Sequence, residues 1–336
     1  MNLSNQRWDD LILFGAAGFV GSTLVGFLVD ETVATVSLID HKPIPHTSIE
    51  AAATRGADVT ALALGSLDEL PYICHPASDH ALGPIVVVLA GKTDVDQALV
   101  EPAQAFEANT SIAIGAGEWL RAHPRARMIY LSTDEVLGET HSPLDESAPR
   151  RPTQPYAASK ASAELILECY AHAYSLDLVI VRSCNLIGRH QRARKLLPIA
   201  VTQLMSNREV PIYGSGDQVR EWMAVEDLCR AISMFKNRDI PAGVYHCASG
   251  YRRTTLEVVD LIANAIHRPK KWQHVADRLV HDQMYAMNSE LLSSWGWAPQ
   301  EDPEKAISQA AADMAEAWAQ GENLMTGTSS IDRSAM

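Results

Sequence analysis

Residues 11–21 read Leu11-Ile12-Leu13-Phe14-Gly15-Ala16-Ala17-Gly18-Phe19-Val20-Gly21, a short apolar run followed by a glycine-rich turn. The apolar run is typical of a strand that is buried on both faces of a parallel sheet. A G-x-x-G-x-x-G spacing between a strand and a helix lets the backbone approach a pyrophosphate, and the helix N-terminus adds free N–H groups. We therefore expect a dinucleotide to bind at Gly15, Gly18, Phe19, Val20 and Gly21.

Asp40 follows a second predicted strand over residues 33–39. An acidic side chain at this place binds the adenosine ribose hydroxyls of a dinucleotide. Because its charge would repel a ribose phosphate, Asp40 favours NAD over NADP, although His41 and Lys42 would soften that preference. The alternative is a tight strand-to-helix turn that binds nothing.

Apolar runs and helical stretches alternate along the first half of the chain. Strands are also expected over 85–89, 128–132 and 178–181, with helices over 19–29, 102–123 and 155–174. The alternation predicts an α/β fold, a doubly wound parallel sheet of the Rossmann type, with a smaller C-terminal α/β substrate lobe.

The regular alternation of strands and helices ends near residue 185, and we place the domain boundary there. Later elements are a helix near 225–235, a strand near 244–247 and helices over 254–267 and 301–318. We assign residues 1–185 to the NAD-binding domain, to which later segments return. Residues 186–320 belong mainly to the substrate lobe, and 321–336 to a disordered tail.

Composition limits the partners of this chain. It has 336 residues, of which 47% are hydrophobic, and a net charge of −13, which argues against a nucleic-acid polymer or an anionic membrane as partner. The short apolar run at Leu11 is not a signal peptide or a membrane span. None of the cysteines forms a C-x-x-C pair, so we expect buried free thiols and no metal site. Free thiols also predict a cytoplasmic protein. The five cysteines are Cys74, Cys169, Cys184, Cys229 and Cys247.

Tyr156 and Lys160 are four residues apart on a predicted helix, so they share a face. A free tyrosine has a pKa of about 10. A nearby ammonium and a positive nicotinamide would lower that pKa, and the phenolate could take a proton from a substrate hydroxyl as hydride leaves. The alternative is a solvated helix face with a chance tyrosine, which the upstream dinucleotide turn makes the weaker interpretation.

The residues after the strand that ends near Leu131 read Ser132-Thr133-Asp134-Glu135. Ligands bind at this end of the strands in open α/β sheets. Thr133 could hydrogen-bond the reacting hydroxyl, and Asp134 and Glu135 could divide acid and base roles if their environments separate their pKa values. The alternative is a helix N-cap with acidic residues in the first turn.

These motifs resemble those of the extended short-chain dehydrogenase/reductases, and most closely those of the dTDP-glucose 4,6-dehydratases in that group. The resemblance covers roughly residues 9–300. The Thr-Asp-Glu triplet discriminates, since the epimerases and decarboxylases of the group usually lack that aspartate. The resemblance is carried by residues 15–21, 130–136, 155–162, 195–198, 211–222 and 225–227.

The resemblance implies an NAD-dependent nucleotide-sugar 4,6-dehydratase, a hydro-lyase of deoxysugar biosynthesis that turns a dTDP- or UDP-hexose into a 4-keto-6-deoxyhexose. Tyr156, supported by Lys160 and Thr133, would deprotonate the hydroxyl on carbon 4. Glu135 would remove the carbon 5 proton, and Asp134 would protonate the leaving hydroxyl on carbon 6. The resemblance further implies a homodimer formed by the helices near 102–122 and 156–173.

Substrate contacts follow partly from a basic run and partly from the resemblance. The run of Arg189, Arg192, Arg194 and Lys195 could bind phosphate, or it could be a solvated loop. By resemblance, the diphosphate and nucleotide-sugar contacts are Lys195, Arg220 and Asn185.

Two departures from the family pattern leave the base and sugar open. Lys92, which we also count as a substrate-binding residue, stands where the family usually has glutamate, and Leu186 replaces an asparagine. The alternatives are a nucleotide-sugar 4-epimerase or decarboxylase on the same scaffold, and a catalytically silent NAD-sensing or scaffold protein.

Overall fold

The computed structural model describes residues 8–29, 33–63, 83–191 and 194–321. The predictions for Cys74, for Arg192 and for the tail after residue 321 fall outside these residues.

Strands and helices follow one another along the described chain. The strands are β1 (Trp8–Phe14), β2 (Val33–Asp40), β3 (Asp58–Ala63), β4 (Ile85–Val88), β5 (Arg127–Thr133), β6 (Asp177–Ser183), β7 (Asn185–Ile187), β8 (Val210–Tyr213), β9 (Val219–Ala224), β10 (Gly243–Cys247), β11 (Arg252–Thr254) and β12 (Trp272–Val275). The helices are α1 (Phe19–Leu28), α2 (His46–Ala53), α3 (Val95–Val100), α4 (Pro102–Ala122), α5 (Pro155–Tyr174), α6 (Leu196–Met205), α7 (Val225–Met234), α8 (Thr255–Ala265), α9 (Glu290–Ser294) and α10 (Pro303–Ala319), with a 3₁₀ turn at Asp134–Leu137.

The central sheet of the described residues has seven parallel strands in the order β10-β6-β5-β4-β1-β2-β3. β1 lies between β2 and β4, with Leu13 in register with Leu38 on one side and Val87 on the other. The chain therefore reverses its direction of winding beside β1, which opens a crevice at the carboxyl ends of the strands. The predicted doubly wound Rossmann sheet is confirmed.

Side chains of β1 alternate between two apolar cores because successive residues of a strand point to opposite faces. Ile12 and Phe14 pack with residues of α4 and α5, whereas Leu11 and Leu13 pack with residues of α1 and α7. Both faces of the sheet are thus covered by helices, which explains why β1 has no polar residue between Leu11 and Phe14.

The later part of the chain forms two small sheets around a third core. β9 lies between β7 and β11, and β8 pairs with β12. Residues of α6, α8 and α10 pack in this core. β10 instead returns to the central sheet, where its backbone pairs with that of β6. Within the described residues, no helix has the length and apolar character needed to cross a membrane.

The predictions need two corrections here. Cys169 is exposed, unlike the buried Cys184, Cys229 and Cys247, because its position on α5 faces away from the sheet. The last described helix begins at Pro303 rather than residue 301, because the Asp302 carboxylate caps it by accepting from the backbone N–H of Glu304 and Lys305.

Candidate active site

A cavity of about 370 Å³ lies between the carboxyl ends of the central strands and the later part of the chain. Phe19 and Val20 line it from the start of α1, and Thr133 lines it from the end of β5. Tyr156 and Lys160 contribute the α5 face. The cavity therefore brings the predicted cofactor turn and the predicted catalytic residues together.

The glycine turn packs so closely against its own neighbours that it has no space for side chains at Gly15 and Gly21. Gly15 has a φ of +86°, and a Cβ atom added there would lie 2.8 Å from the Ala90 nitrogen. A Cβ atom on Gly21 would overlap the Gly15 carbonyl oxygen. Gly18 is the N-cap of α1 and supplies no side-chain acceptor, so no capping side chain occupies the backbone N–H groups in the first turn of α1. These residues fit the pyrophosphate of a dinucleotide such as NAD.

Asp40 lies at the end of β2 beside this turn, as predicted. Its carboxylate accepts hydrogen bonds from the Ala17 N–H at 2.9 Å and the Lys42 N–H at 3.0 Å. His41 Nδ1 lies 3.0 Å from the same carboxylate. Asp40 therefore also fixes the shape of the glycine turn, in addition to standing where a ribose-binding acid is expected.

Tyr156 and Lys160 are both largely buried and share the cavity face of α5. The expected lowering of the Tyr156 pKa by Lys160 is not what the structure shows. Burial raises the pKa of Tyr156 well above its usual value, the Glu135 charge raises it further, and a hydrogen bond with Thr133 opposes both. Burial also lowers the pKa of Lys160 to about 7, against the attraction of Glu164.

Thr133 is the last residue of β5, and Asp134 and Glu135 begin the 3₁₀ turn that follows it. The Thr133 hydroxyl caps this turn by accepting from the Glu135 N–H, so the N-cap that the sequence offered as the alternative interpretation is present. It also donates to Asp134 Oδ1 at 3.1 Å. Thr133 and Glu135 line the cavity, whereas Asp134 lies directly behind the wall, 3% exposed.

The two neighbouring carboxyl groups differ in their surroundings. Burial, and then the Glu135 charge, raise the pKa of Asp134 to about 8. Burial also raises the pKa of Glu135 above its usual value, although Lys195 and Arg220 oppose that rise. At neutral pH Asp134 therefore holds a proton, while the cations stabilise the ionised form of Glu135.

Asn185, Lys195 and Arg220 all line the cavity, as predicted for substrate contacts. Lys195 Nζ donates to the Thr93 carbonyl at 2.8 Å. The Arg220 guanidinium donates to the Asp282 carbonyl at 2.9 Å and stands 4.5 Å from the centre of the Tyr285 ring. These two cations give the wall a positive charge that suits a diphosphate.

The structure does not bring Lys92 to the cavity. Its side chain is exposed, and Nζ donates to Gln104 Oε1 on α4 at 2.9 Å, although its neighbours Gly91 and Thr93 line the cavity. Asn109 explains this, because its amide bonds both the N–H and the carbonyl of Lys92 and holds that backbone against α4. The predicted substrate contact at Lys92 therefore needs correction.

Sequence reasoning missed three residues that shape the site. Gln154 lines the cavity and bonds Glu135, Tyr130 bonds Lys160 from behind, and Arg278 lines the cavity and pairs with Asp96 at 2.6 Å. Gln154 alone carried a signal, since it precedes a proline at the start of a helix. Within the described ranges, no group of three His, Cys, Asp or Glu residues is arranged to hold a metal ion.

Comparisons with known proteins agree with this geometry. The profile of the NAD dependent epimerase/dehydratase family matches residues 11–249. The dTDP-glucose 4,6-dehydratase of Streptomyces antibioticus is 31% identical over 311 residues, which span 87% of this chain and 88% of that protein.

Solved structures extend the likeness to the fold. DesIV, a dTDP-glucose 4,6-dehydratase from Streptomyces venezuelae with NAD and TDP bound, is 26% identical, with a TM-score of 0.81 over 93% of this chain and 98% of that one. A UDP-glucose 4-epimerase from Thermotoga maritima gives a TM-score of 0.78 over 92% of this chain and 99% of that one. At 22% identity, the epimerase shows a shared fold alone.

Proposed function

Because the chain belongs to the NAD dependent epimerase/dehydratase family, we propose that it is an NAD-dependent nucleotide-sugar 4,6-dehydratase. It converts a dTDP- or UDP-linked hexose to the 4-keto-6-deoxyhexose. The similarity to dTDP-glucose 4,6-dehydratases over most of the chain supports this activity, and so does the similarity to a structure with NAD and TDP bound.

The observation that carries the proposal is the unequal acid pair next to Tyr156. Asp134 has a pKa of about 8 and is the proton donor, whereas Glu135 faces Lys195 and Arg220 and is the base. Eliminating water across two adjacent carbons needs a base at one carbon and an acid at the other. An epimerase needs neither group.

The proton transfers follow from this arrangement. With NAD bound, the positive nicotinamide would stabilise the Tyr156 phenolate against the effect of burial, and the phenolate takes the proton of the carbon 4 hydroxyl while Thr133 hydrogen-bonds that oxygen. NAD would supply the hydride acceptor for carbon 4 and the hydride donor for carbon 6, and a proton from Glu135, exchanged with solvent, restores the hydrogen on carbon 5. The resulting ketone acidifies the proton on carbon 5, which Glu135 removes. The electron pair of that C–H bond forms the double bond between carbons 5 and 6, the carbon 6–oxygen bond breaks, and water leaves.

The proton for that departing water originates on Asp134. Asp134 lies behind the wall, and its Oδ1 accepts from the Thr133 hydroxyl. Its proton reaches the cavity when this hydrogen bond reverses, so that Asp134 donates to Thr133 Oγ1 and Thr133 donates its own proton to the leaving oxygen. Thr133 also hydrogen-bonds Tyr156. The Thr133 hydroxyl thus stands between the acid that protonates the carbon 6 oxygen and the Tyr156 phenolate that deprotonates the carbon 4 hydroxyl.

Recognition of the substrate rests on charge. Lys195 and Arg220 bind the diphosphate, and Asn185 binds the nucleotide-sugar part, because all three line the same cavity as the catalytic residues. The cofactor contacts are Asp40 and the glycine turn. We assign residues 1–185 with the returning strand β10 to the cofactor-binding part, and residues 186–320 mainly to the substrate lobe.

The assembly and location are part of the proposal. α4 and α5 pack together, and they expose Ile114, Leu165 and Tyr174, 47%, 56% and 53% accessible, on their outer faces. Such apolar exposure supports a homodimer with a helical interface. The four described cysteines are free, which supports a reducing cytoplasmic location.

The activity is tested by incubating the protein with dTDP-glucose and UDP-glucose in heavy water. We expect a product that has lost one water and carries deuterium at carbon 5, with transient absorbance from reduced cofactor. A product of unchanged mass with inverted carbon 4 would establish an epimerase instead. No conversion across a sugar-nucleotide panel, despite NAD binding, would favour a silent NAD-binding protein.

A further inference from the structure

Gln154 joins two catalytic groups through the two ends of its amide. It is the N-cap of α5, and its Oε1 accepts from the Tyr156 N–H at 2.8 Å. Its Nε2 donates to Glu135 Oε2 at 2.5 Å. The side chain is 4% exposed and lines the cavity. The start of the helix that carries Tyr156 is therefore tied to the carboxylate of Glu135 by a single side chain.

Capping α5 does not require a glutamine. Only an acceptor oxygen is needed at an N-cap, and serine, threonine, asparagine and aspartate supply it better than longer side chains. The amide nitrogen of Gln154 is surplus to that task, and it is directed at the catalytic carboxylate. The use of both amide ends in a largely buried place indicates a role in the site as well as in the helix.

We propose that Gln154 is a positioning residue that holds the Glu135 carboxylate in place against Tyr156 for removal of the carbon 5 proton. This rests on the proposed dehydratase activity. A carboxylate with free rotation about its side-chain bonds would spend much of its time out of reach of that carbon, and small displacements of a catalytic group cost rate steeply.

The Gln154 donor also favours the ionised form of Glu135, which is the form that can act as a base. Its hydrogen bond lowers the pKa of Glu135, in the same direction as the nearby cations. Loss of that donor therefore raises the pKa, and the acid limb of the pH–rate profile moves to higher pH. The groups that face Glu135 are the cations Lys195, Arg220 and Arg278 and the acidic groups Asp134, Tyr156 and Tyr285.

Three variants at this position separate capping from positioning. Gln154→Ser keeps a good capping oxygen but is too short to bond Glu135. Gln154→Ala loses both contacts. Gln154→Glu keeps an acceptor for the Tyr156 N–H and places a second carboxylate against Glu135. Gln97→Ser is the matched control, because Gln97 donates to Glu101 at 2.9 Å on the exposed face of α3.

We expect Gln154→Ser to lower the rate of deuterium incorporation at carbon 5 by about ten- to a hundredfold. Reduced-cofactor absorbance should still form, since carbon 4 oxidation does not use Glu135. The acid limb should shift upward in Gln154→Ser and further in Gln154→Glu, where like charges repel. Gln154→Ala should match Gln154→Ser in pH profile and melt at a lower temperature. Gln97→Ser should behave as wild type.

Wild-type rates and an unmoved acid limb in Gln154→Ser would overturn the proposal. A lower rate in Gln154→Ala beside a wild-type rate and acid limb in Gln154→Ser would also overturn it, because that outcome leaves capping as the only role. An infrared titration of the Glu135 carboxyl, identified by its absence in Glu135→Gln, needs no substrate. Equal midpoints in wild type and Gln154→Ser would refute the positioning even if no sugar nucleotide were converted, so the two proposals can fail separately.

Discussion

The Lys160 ammonium donates hydrogen bonds of 2.7 Å to the Tyr130 hydroxyl and to the Leu131 carbonyl. It also lies 4.1 Å from the centre of the Tyr130 ring. Both partners lie on β5, where Leu131 lines the cavity and Tyr130 lies behind its wall. An ammonium has three donors, so two are held by the strand and the third can turn toward the cavity. Tyr130 therefore fixes where the charge beside Tyr156 sits, in a place where burial already lowers the pKa of Lys160 to about 7.

Removing the Tyr130 hydroxyl should lower the pH at which activity is lost on the alkaline side of the pH–rate profile. Lys160 acts as a cation, so activity falls as pH rises through its pKa. Tyr130→Phe removes an acceptor that stabilises the ammonium, which lowers that pKa by about one unit. The alkaline limb of the pH–rate profile should move down accordingly. Tyr245→Phe is the control, because its hydroxyl donates to the Pro241 carbonyl away from the cavity. Superimposable profiles for the two variants would count against this role.

Asp134→Asn and Glu135→Gln should stop the reaction after oxidation. Each removes a group that acts in elimination, and general acids and bases contribute about 10²- to 10⁴-fold. Both variants should still form reduced cofactor from substrate, and neither should release the dehydrated product at the wild-type rate. Stopped-flow absorbance and product mass check this. If Asp134→Asn kept its full turnover, the acid would lie elsewhere and the dehydratase mechanism would be wrong.

Gly21→Ala should abolish NAD binding, whereas Gly26→Ala on the same helix should not. An added methyl group at Gly21 overlaps the Gly15 carbonyl and the Ala16 backbone, so the turn must distort. A methyl group at Gly26 meets nothing within 4 Å. Alanine there should stabilise the protein by about 0.5–1 kcal/mol, since glycine is a poor helix former. Calorimetric titration with NAD and thermal melting test the pair, and equal NAD affinities would contradict the expectation.

Glu164→Gln should be strongly destabilising. Its carboxylate accepts from Arg182 at 2.7 Å and from Arg150 at 2.5 Å, and Arg182 is 2% exposed. Without that charge, Arg182 stays buried and unpaired, which costs about 3–5 kcal/mol of unfolding free energy. Arg121→Gln, which breaks the exposed pair with Glu118, should change the urea midpoint little.

The same network predicts a pH dependence. Burial raises the pKa of Glu164, but its partners, with Arg182 foremost and Arg150 among them, together outweigh burial and hold that pKa below its usual value of 4.5. A depressed carboxyl pKa contributes stability that is present above about 4.5 and is lost as pH falls through the folded value. The difference in unfolding free energy between wild type and Glu164→Gln should therefore become smaller at acid pH. A difference in unfolding free energy that stays constant down to low pH would show that it does not come from the charge of Glu164.

Leu165→Lys should yield monomers. Leu165 is exposed on the outer face of α5, where a charge cannot be buried in a helical interface. Leu279→Lys is the control, since Leu279 is 90% exposed and lies away from α4 and α5. Sedimentation velocity distinguishes the outcomes. A wild-type monomer, or a Leu165→Lys dimer, would rule out this interface.

The sequence predicted those elements whose burial is dictated locally. β4 and the part of β1 from Leu11 to Phe14 are apolar throughout and pack on both faces, and α5 begins at Pro155 and ends at Tyr174 as expected. β3 was missed because Asp58–Ala63 mixes small and polar residues without a clear period. The strands β7, β8, β9, β11 and β12 were also missed, since they have three to six residues and form only against each other.

In the site, too, the sequence predicted residues that are close in the chain and missed those that are distant. Motif spacing identified Thr133, Glu135, Tyr156 and Lys160, because neighbours on one turn or one helix must lie together. Gln154 and Tyr130 were not found, since their partners are 19 and 30 residues away in the chain. Lys92 lies between two residues that line the cavity, Gly91 and Thr93, but Asn109 bonds its backbone and its side chain lies outside the cavity. No local sequence pattern reveals that contact with Asn109.

The position of β10 sets the order in which this protein can be completed during synthesis. Its strand covers the edge of β6, and Arg127, on the next strand inward, donates to the carbonyls of Phe235, Asn237 and Ile240. A nascent chain that has reached only residue 185 exposes β6 as an open edge and leaves the Arg127 guanidinium without those acceptors. About 60 further residues must leave the ribosome first, which takes several seconds at ordinary translation rates. During that interval the cofactor half is the part that a chaperone must shield from edge-to-edge aggregation.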